Sequence, residues 1–202
     1  SGLNVPEWVT TLRVGRYTYW GLRATDFSGA GFFVADGVPF AVIEDERGPR
    51  RYFGRIPPSR AEAGGVVLGA GYGQPTGTLQ ARWAVLRDFI AAARRVASRY
   101  PNDAQAWGLD GNLRHVADLT PEEVLWASTT WARDVQIGPA FERHLREGTG
   151  ATLRNPPRQS THEKGYALIL MFARCRCRGA GSCRCVTQVA DAPLAVSDHR
   201  GV

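Results

Sequence analysis

At Thr78 the spacing of apolar residues changes, and that change separates a part of the chain suited to sheets from a part suited to a helix. Downstream, Leu79, Trp83, Leu86, Phe89, Ile90, Ala93, Val96 and Tyr100 recur at three- and four-residue steps. This is the period of one helix face, and Pro101 ends it. Upstream, residues 8–69 carry β-branched and aromatic runs: "WVTTLRV", "YTYWGLRA", "AGFFVA", "VPFAVIE", "RYFGRI" and "GGVVLG". Such runs favour strands. Asp36-Gly37 between two of them is a two-residue hairpin signal, and Pro39 places the second arm at a sheet edge or starts it later. A second helix is expected from Thr120, with Pro121 in its first turn and Glu123 completing a capping box, ending near Gly138. A third runs from Pro139 to Gly148, and residues 149–164 read as a loop.

The last expected element is a hairpin over 166–190. The pattern therefore predicts one α+β domain over 1–202: an N-terminal antiparallel β-sheet (β-rich 8–69), two to three central helices (helical 78–147) and a C-terminal β-hairpin (166–190). A chain of 202 residues with 44% hydrophobic residues can bury a core of that kind. No apolar run approaches the ~20 residues that span a bilayer. The chain opens on Ser-Gly rather than Met, which reads as a processed product or a trimmed piece.

All 4 cysteines fall within "CRCRGAGSCRC", inside the expected hairpin. Strand side chains alternate faces, so Cys175 and Cys177 point one way, and so do Cys183 and Cys185. Folding the ribbon at "RGAGS" sets Cys177 opposite Cys183 and Cys175 opposite Cys185. Four sulfurs on one face suit a tetrahedral, closed and hence structural Zn²⁺ site, with Zn–S bonds of about 2.3 Å. The same geometry also nearly permits two cross-strand disulfides. Zinc is the expected cofactor and places the chain inside cells, in cytoplasm or nucleus.

The net charge is +6, and 24 of the 25 basic residues are arginine, Lys164 being the only lysine. Guanidinium pairs bidentately with phosphate oxygens. Two clusters could face a polyanion: Arg47, Arg50, Arg51 and Arg55 on the sheet, and Arg174, Arg176, Arg178 and Arg184 on the hairpin. Tyr52 is the expected stacking partner for unpaired bases. "GAGYGQPTG" at 69–77 lies between a strand and a helix, where phosphates often bind, but lacks both the third glycine of G-x-G-x-x-G and the Gly-Lys of a Walker loop. His115, His144, His162 and His199 are scattered.

"LRVGRYTYWGLRA" at 12–24, followed by "GAGFFVADG" at 29–37, resembles the first strands of the H-box/NC thiol acyltransferases, the lecithin:retinol-acyltransferase-like family that includes picornavirus polyprotein products. Tyr19 stands where that family's catalytic histidine would be, and no Asn-Cys follows. The resemblance implies a fold relative without thiol chemistry.

The function expected from these readings is a non-enzymatic, zinc-stabilised, arginine-rich accessory protein that binds RNA or another polyanion, of viral polyprotein origin. The alternative is a protein-interaction module, an inactive relative of the thiol acyltransferases, with a protein partner. A third reading, an enzyme using the Gly-rich loop for a phosphorylated ligand, is kept beside them.

Overall fold

The computed structural model describes residues 12–23, 29–60, 64–112, 132–154 and 169–175. Strands β1 (Leu12–Val14), β2 (Tyr17–Arg23) and β3 (Gly29–Ala35) form a small antiparallel sheet in that order. A larger sheet holds β4 (Ala41–Val42), β5 (Arg51–Ile56), β6 (Val66–Tyr72), β7 (Ala104–Asp110), β8 (Thr152–Leu153) and β9 (Ile169–Arg174), in the order β4-β5-β6-β7-β9-β8. Helix α1 (Leu79–Arg99) connects β6 to β7, and α2 (Ala132–Thr149) precedes β8. The α+β expectation holds, with the N-terminal antiparallel sheet in place.

The larger sheet is packed on both faces. Alternation sends Phe53, Val67, Trp107, Leu109, Leu170 and Phe172 to the helix side, where they meet Leu86, Phe89 and Val96 of α1 and Phe141 and Leu145 of α2. Trp107, Phe53, Phe141 and Phe172 have no exposed surface, and each buried side chain of this size stabilises the fold by about 1.5–3 kcal/mol. Tyr52 points to the opposite face and joins Leu22 and Ala30 of the small sheet, with Trp20, Phe32 and Phe40 around them. The result is three layers: small sheet, large sheet, helices.

Thr78 caps α1, its Oγ1 accepting from Ala81 N at 3.2 Å. Three expectations need correction. Asp36-Gly37 does not close a hairpin between its flanking runs: β3 pairs with β2, while β4 starts after Pro39 and pairs with β5 in the other sheet. Gly37, at φ +83°, turns the chain from one sheet to the next. Second, α2 does not begin at Pro139 but runs through it. Burial of Ile137, Phe141 and Leu145, spaced four residues apart on one face, outweighs the lost backbone bond. Third, a strand, β7, follows directly on α1, and the 149–164 loop contains β8. The expected helix start at Thr120 and the tip and return arm of the 166–190 hairpin lie outside the described residues.

Candidate nucleic-acid site at the carboxyl ends of two parallel strands

β6 and β7 are the parallel pair of the larger sheet, with Tyr72 opposite Asp110 at their carboxyl ends. The crossover α1 starts from that same end. In α/β units ligands gather outside the carboxyl ends of parallel strands, near the N-terminus of the crossover helix.

Two short loops build the edge. After β7 comes Asp110-Gly111-Asn112, and after β6 comes Gly73. Gly73 N donates to Asp110 O at 2.6 Å, and the two loops touch so closely that a Cβ on Gly73 would collide with the Gly111 backbone. Asp110 Oδ1 accepts from Asn112 N at 3.0 Å, a turn that Asp makes with its own loop. Asn112 sits at φ +47°, a left-handed conformation that asparagine tolerates better than other β-carbon residues. Its Nδ2 donates to Gly73 O at 2.9 Å and its carbonyl accepts from Arg82 Nη2 at 2.6 Å. Asp110 is thereby a half-buried carboxylate in a loop fixed from three sides.

Two guanidinium groups border the same edge. Arg82 comes from the first turns of α1. Arg50 lies just before β5, its carbonyl accepting from Tyr72 N at 2.9 Å and its guanidinium 5.6 Å from the Tyr72 ring centroid. A carboxylate, a carboxamide, a phenol and two guanidiniums thus stand along one edge, side chains of the kinds that pair with a phosphate ester and accept a proton.

The other expected arginines are placed differently. Arg47 pairs with Glu44 at 2.7 Å. Arg51 pairs with Asp88 at 2.7 Å and also donates to Glu46 O at 2.7 Å. Arg55 grips the buried Asp103 at 2.6 Å. Of the sheet cluster, only Arg50 reaches the strand-end edge. Arg174 donates to Pro101 O at 3.3 Å, at the opposite end of the sheet. Arg176, Arg178 and Arg184 lie outside the described residues. Tyr52 cannot stack on bases: it is wholly buried between the sheets.

Of the cysteines, Cys175 alone is described, and it is disulfide-bonded. Cys177, Cys183 and Cys185 lie outside the described residues. Among the described residues no three His, Cys, Asp or Glu side chains gather as a metal site, and no helix is long and apolar enough to cross a membrane. His144 lies on α2, whereas His115, His162 and His199 fall outside the described residues.

Asp110, Asn112, Tyr72 and Arg82 were not singled out by the sequence reading. The available signal was the alternation in "AQAWGLD" followed by the turn residues Asp-Gly-Asn. Taken with the Gly-rich 69–77 loop, it marks the ends of two strands joined by a helix.

No family model and no curated protein matches the sequence. Among solved structures, the fold is similar to the endonuclease domain of TRAS1, a telomere-specific non-LTR retrotransposon, with a TM-score of 0.55 and 14% sequence identity over 84% of this chain and 69% of that one. The expectation of a non-enzymatic, zinc-stabilised accessory protein is overturned by this likeness together with the lack of a metal-holding group among the described residues. What the likeness establishes is architecture: this chain folds as an endonuclease domain folds.

Proposed function

We propose that the chain is a nucleic-acid-processing enzyme that hydrolyses phosphodiester bonds at the carboxyl edge of β6 and β7. One observation carries the reading: the Asp110-Gly111-Asn112 loop and the Tyr72-Gly73 loop, tied together by hydrogen bonds, stand at the ligand-binding end of the parallel pair in a fold shared with an endonuclease domain. Asp110 takes the proton of the attacking water. Arg50 and Arg82 offset the charge that builds on the phosphoryl oxygens as the P–O bond to the leaving oxygen breaks. Asn112 positions Asp110 by occupying the turn that its carboxylate closes. The basic balance of the chain favours a polyanionic substrate.

The test is incubation of the protein with supercoiled plasmid and with labelled single-stranded DNA and RNA, in magnesium-containing buffer. Nicking or shortening by the wild-type protein, lost in Asp110→Asn, is the expected result. Intact substrates with the wild-type protein, or an Asp110→Asn variant that cuts as fast, would overturn the assignment.

A further inference from the structure

The two flanks of α1 use their arginines in opposite ways. On one flank every guanidinium is matched: Arg95 holds the buried Glu46 through two 2.7 Å bonds, and Arg99 holds Asp45 through bonds of 2.8 and 2.6 Å. On the other flank, Trp83, Arg87, Ile90, Ala91 and Arg94 form a helical stripe, and with His144 of α2 they line a cleft of about 270 Å³. Arg87 makes no hydrogen bond or ion pair among the described residues. Among the described residues Arg94 donates only to the His144 carbonyl, at 3.0 Å, and its charge meets no carboxylate. Glu147 stands 3.7 Å from His144 Nδ1.

We infer that this groove between α1 and α2 is a secondary track for single-stranded nucleic acid, with a base on the Trp83 indole and backbone phosphates on Arg87 and Arg94. The inference deepens the proposed nucleic-acid-processing role and rests on it. Trp83 follows Arg82, whose guanidinium braces Asn112, so the platform and the candidate catalytic edge share the amino end of one helix. The indole lies 6.0 Å from the His144 imidazole, ring centroid to centroid, and also borders an apolar hollow of about 480 Å³ with Leu79, Ile137 and Ala140. An aromatic platform followed by arginines at intervals along a helix matches the demands of an unpaired strand, whose bases are free to stack on side chains. In a duplex those faces are already stacked on neighbouring bases.

The experiment is fluorescence anisotropy of a labelled oligothymidylate and of a blunt duplex of equal length, titrated with wild type, Arg87→Glu/Arg94→Glu and Asp110→Asn at several salt concentrations. The arginine positions are exposed, so the double variant folds; Trp83→Leu, which keeps an apolar side chain against the core, tests the platform separately. The expected result is at least tenfold weaker oligothymidylate binding by the double variant, with the log–log salt slope shallower by about 1.4 for two lost phosphate contacts. Duplex affinity falls less than oligothymidylate affinity, Trp83→Leu weakens the single strand several-fold, and the arginine substitutions cause the same loss in the Asp110→Asn background, where no substrate is consumed. If the wild type fails to bind oligothymidylate, or the double variant binds it equally well, the track is overturned even where Asp110-dependent cleavage persists. Loss of binding in the double variant of a protein that cuts nothing would sustain the track and sink the enzymatic reading instead.

Discussion

Asp103 and Asp110 flank the same strand, and the contrast between them separates what holds this molecule together from what it presents to a ligand. Asp103 precedes β7 and is 4% exposed. Its carboxylate takes Arg55 Nε at 2.6 Å, Arg55 Nη2 at 3.3 Å and Gly65 N at 2.9 Å, while the Arg55 guanidinium also packs 4.7 Å from the Tyr100 ring centroid. Asp110 closes β7 and remains half-buried, bonded to the backbone of its own loop. The two are the same chemical group at two ends of a parallel pair. At the amino end a guanidinium seals the charge; at the carboxyl end the carboxylate closes its own loop and stays partly exposed. Position in the crossover unit, more than residue type, decides which aspartate is structural.

The largest expected effect tests the sealed end. Arg55→Met leaves the Asp103 carboxylate buried with the Gly65 N–H as its remaining partner, and breaking such a pair costs about 3–5 kcal/mol. For a chain of this length each kcal/mol lowers the melting temperature by about 2–4 °C. Thermal denaturation should therefore show a fall on the order of 10 °C. A variant that melts with wild type would mean that the Arg55–Asp103 pair is not the clasp of this end.

Next comes the open end. Asp110→Asn keeps shape and most hydrogen bonding but removes the charge. Phosphodiester cleavage should drop by about 100-fold or more, equivalent to about 2.7 kcal/mol of transition-state stabilisation. Stability should stay within about 1 kcal/mol. The comparison breaks if the two substitutions exchange signatures, with Arg55→Met acting on rate alone and Asp110→Asn on melting alone.

Much of this architecture was readable from residues, and the unread parts share a cause. Helix α1 announces itself because its period, its Thr78 cap and its closing proline are local features, complete within one stretch of chain. β7 does not. Its seven residues include two glycine-flanking apolar positions, Trp107 and Leu109, and it earns its place by pairing with β6 across the whole length of α1 and with β9 still further along. The same non-locality misdirects Asp36-Gly37, whose turn chemistry is real while the partner of each flanking strand is chosen elsewhere. Pro139 likewise argues locally for a helix start, and the buried stripe of α2 overrides it. Because the candidate site is made where β6 and β7 end side by side, a reading that lacks β7 sees the Gly-rich loop without the aspartate opposite it. The arginines were conspicuous in the sequence, but only the fold reveals that most of the sheet cluster is already spent on carboxylates.

A smaller effect probes how the open end is held. Asn112→Ala loses the Nδ2 bond to Gly73 O, worth about 1 kcal/mol, and leaves a β-carbon residue less suited to φ +47°, for a further cost of about 1 kcal/mol. Asn112→Gly loses the same bond but relieves the backbone, so its net cost should stay below about 1 kcal/mol. Both should slow cleavage, since both loosen the turn around Asp110. Equal destabilisation by alanine and glycine in a denaturant titration would show that the left-handed turn contributes nothing to the loop.

The smallest effect at neutral pH concerns a third ionisable group, Tyr52, which is as deeply buried as Asp103. Its hydroxyl lies between the sheets with no hydrogen-bond partner among the described residues, and its ring centroid stands 6.2 Å from that of Phe32. Burial, reinforced by the negative charge of Glu44, pushes its pKa up to about 12. The unfolded chain titrates near 10, so the folded state keeps this proton more tightly. Stability associated with Tyr52 is therefore full below pH 10 and falls as the pH rises towards 12. Tyr52→Phe removes a desolvated hydroxyl without opening space, and at pH 7 its unfolding free energy should match or slightly exceed that of wild type. Between pH 10 and 12 the wild type should lose stability faster than the variant, in denaturant titrations across that range. Parallel pH profiles would place the Tyr52 hydroxyl in contact with water and reopen the packing between the two sheets, whereas divergence there marks the small sheet as a sealed structural layer like the Asp103 end, leaving the carboxyl edge of β6 and β7 as the part of this contrast that stays open.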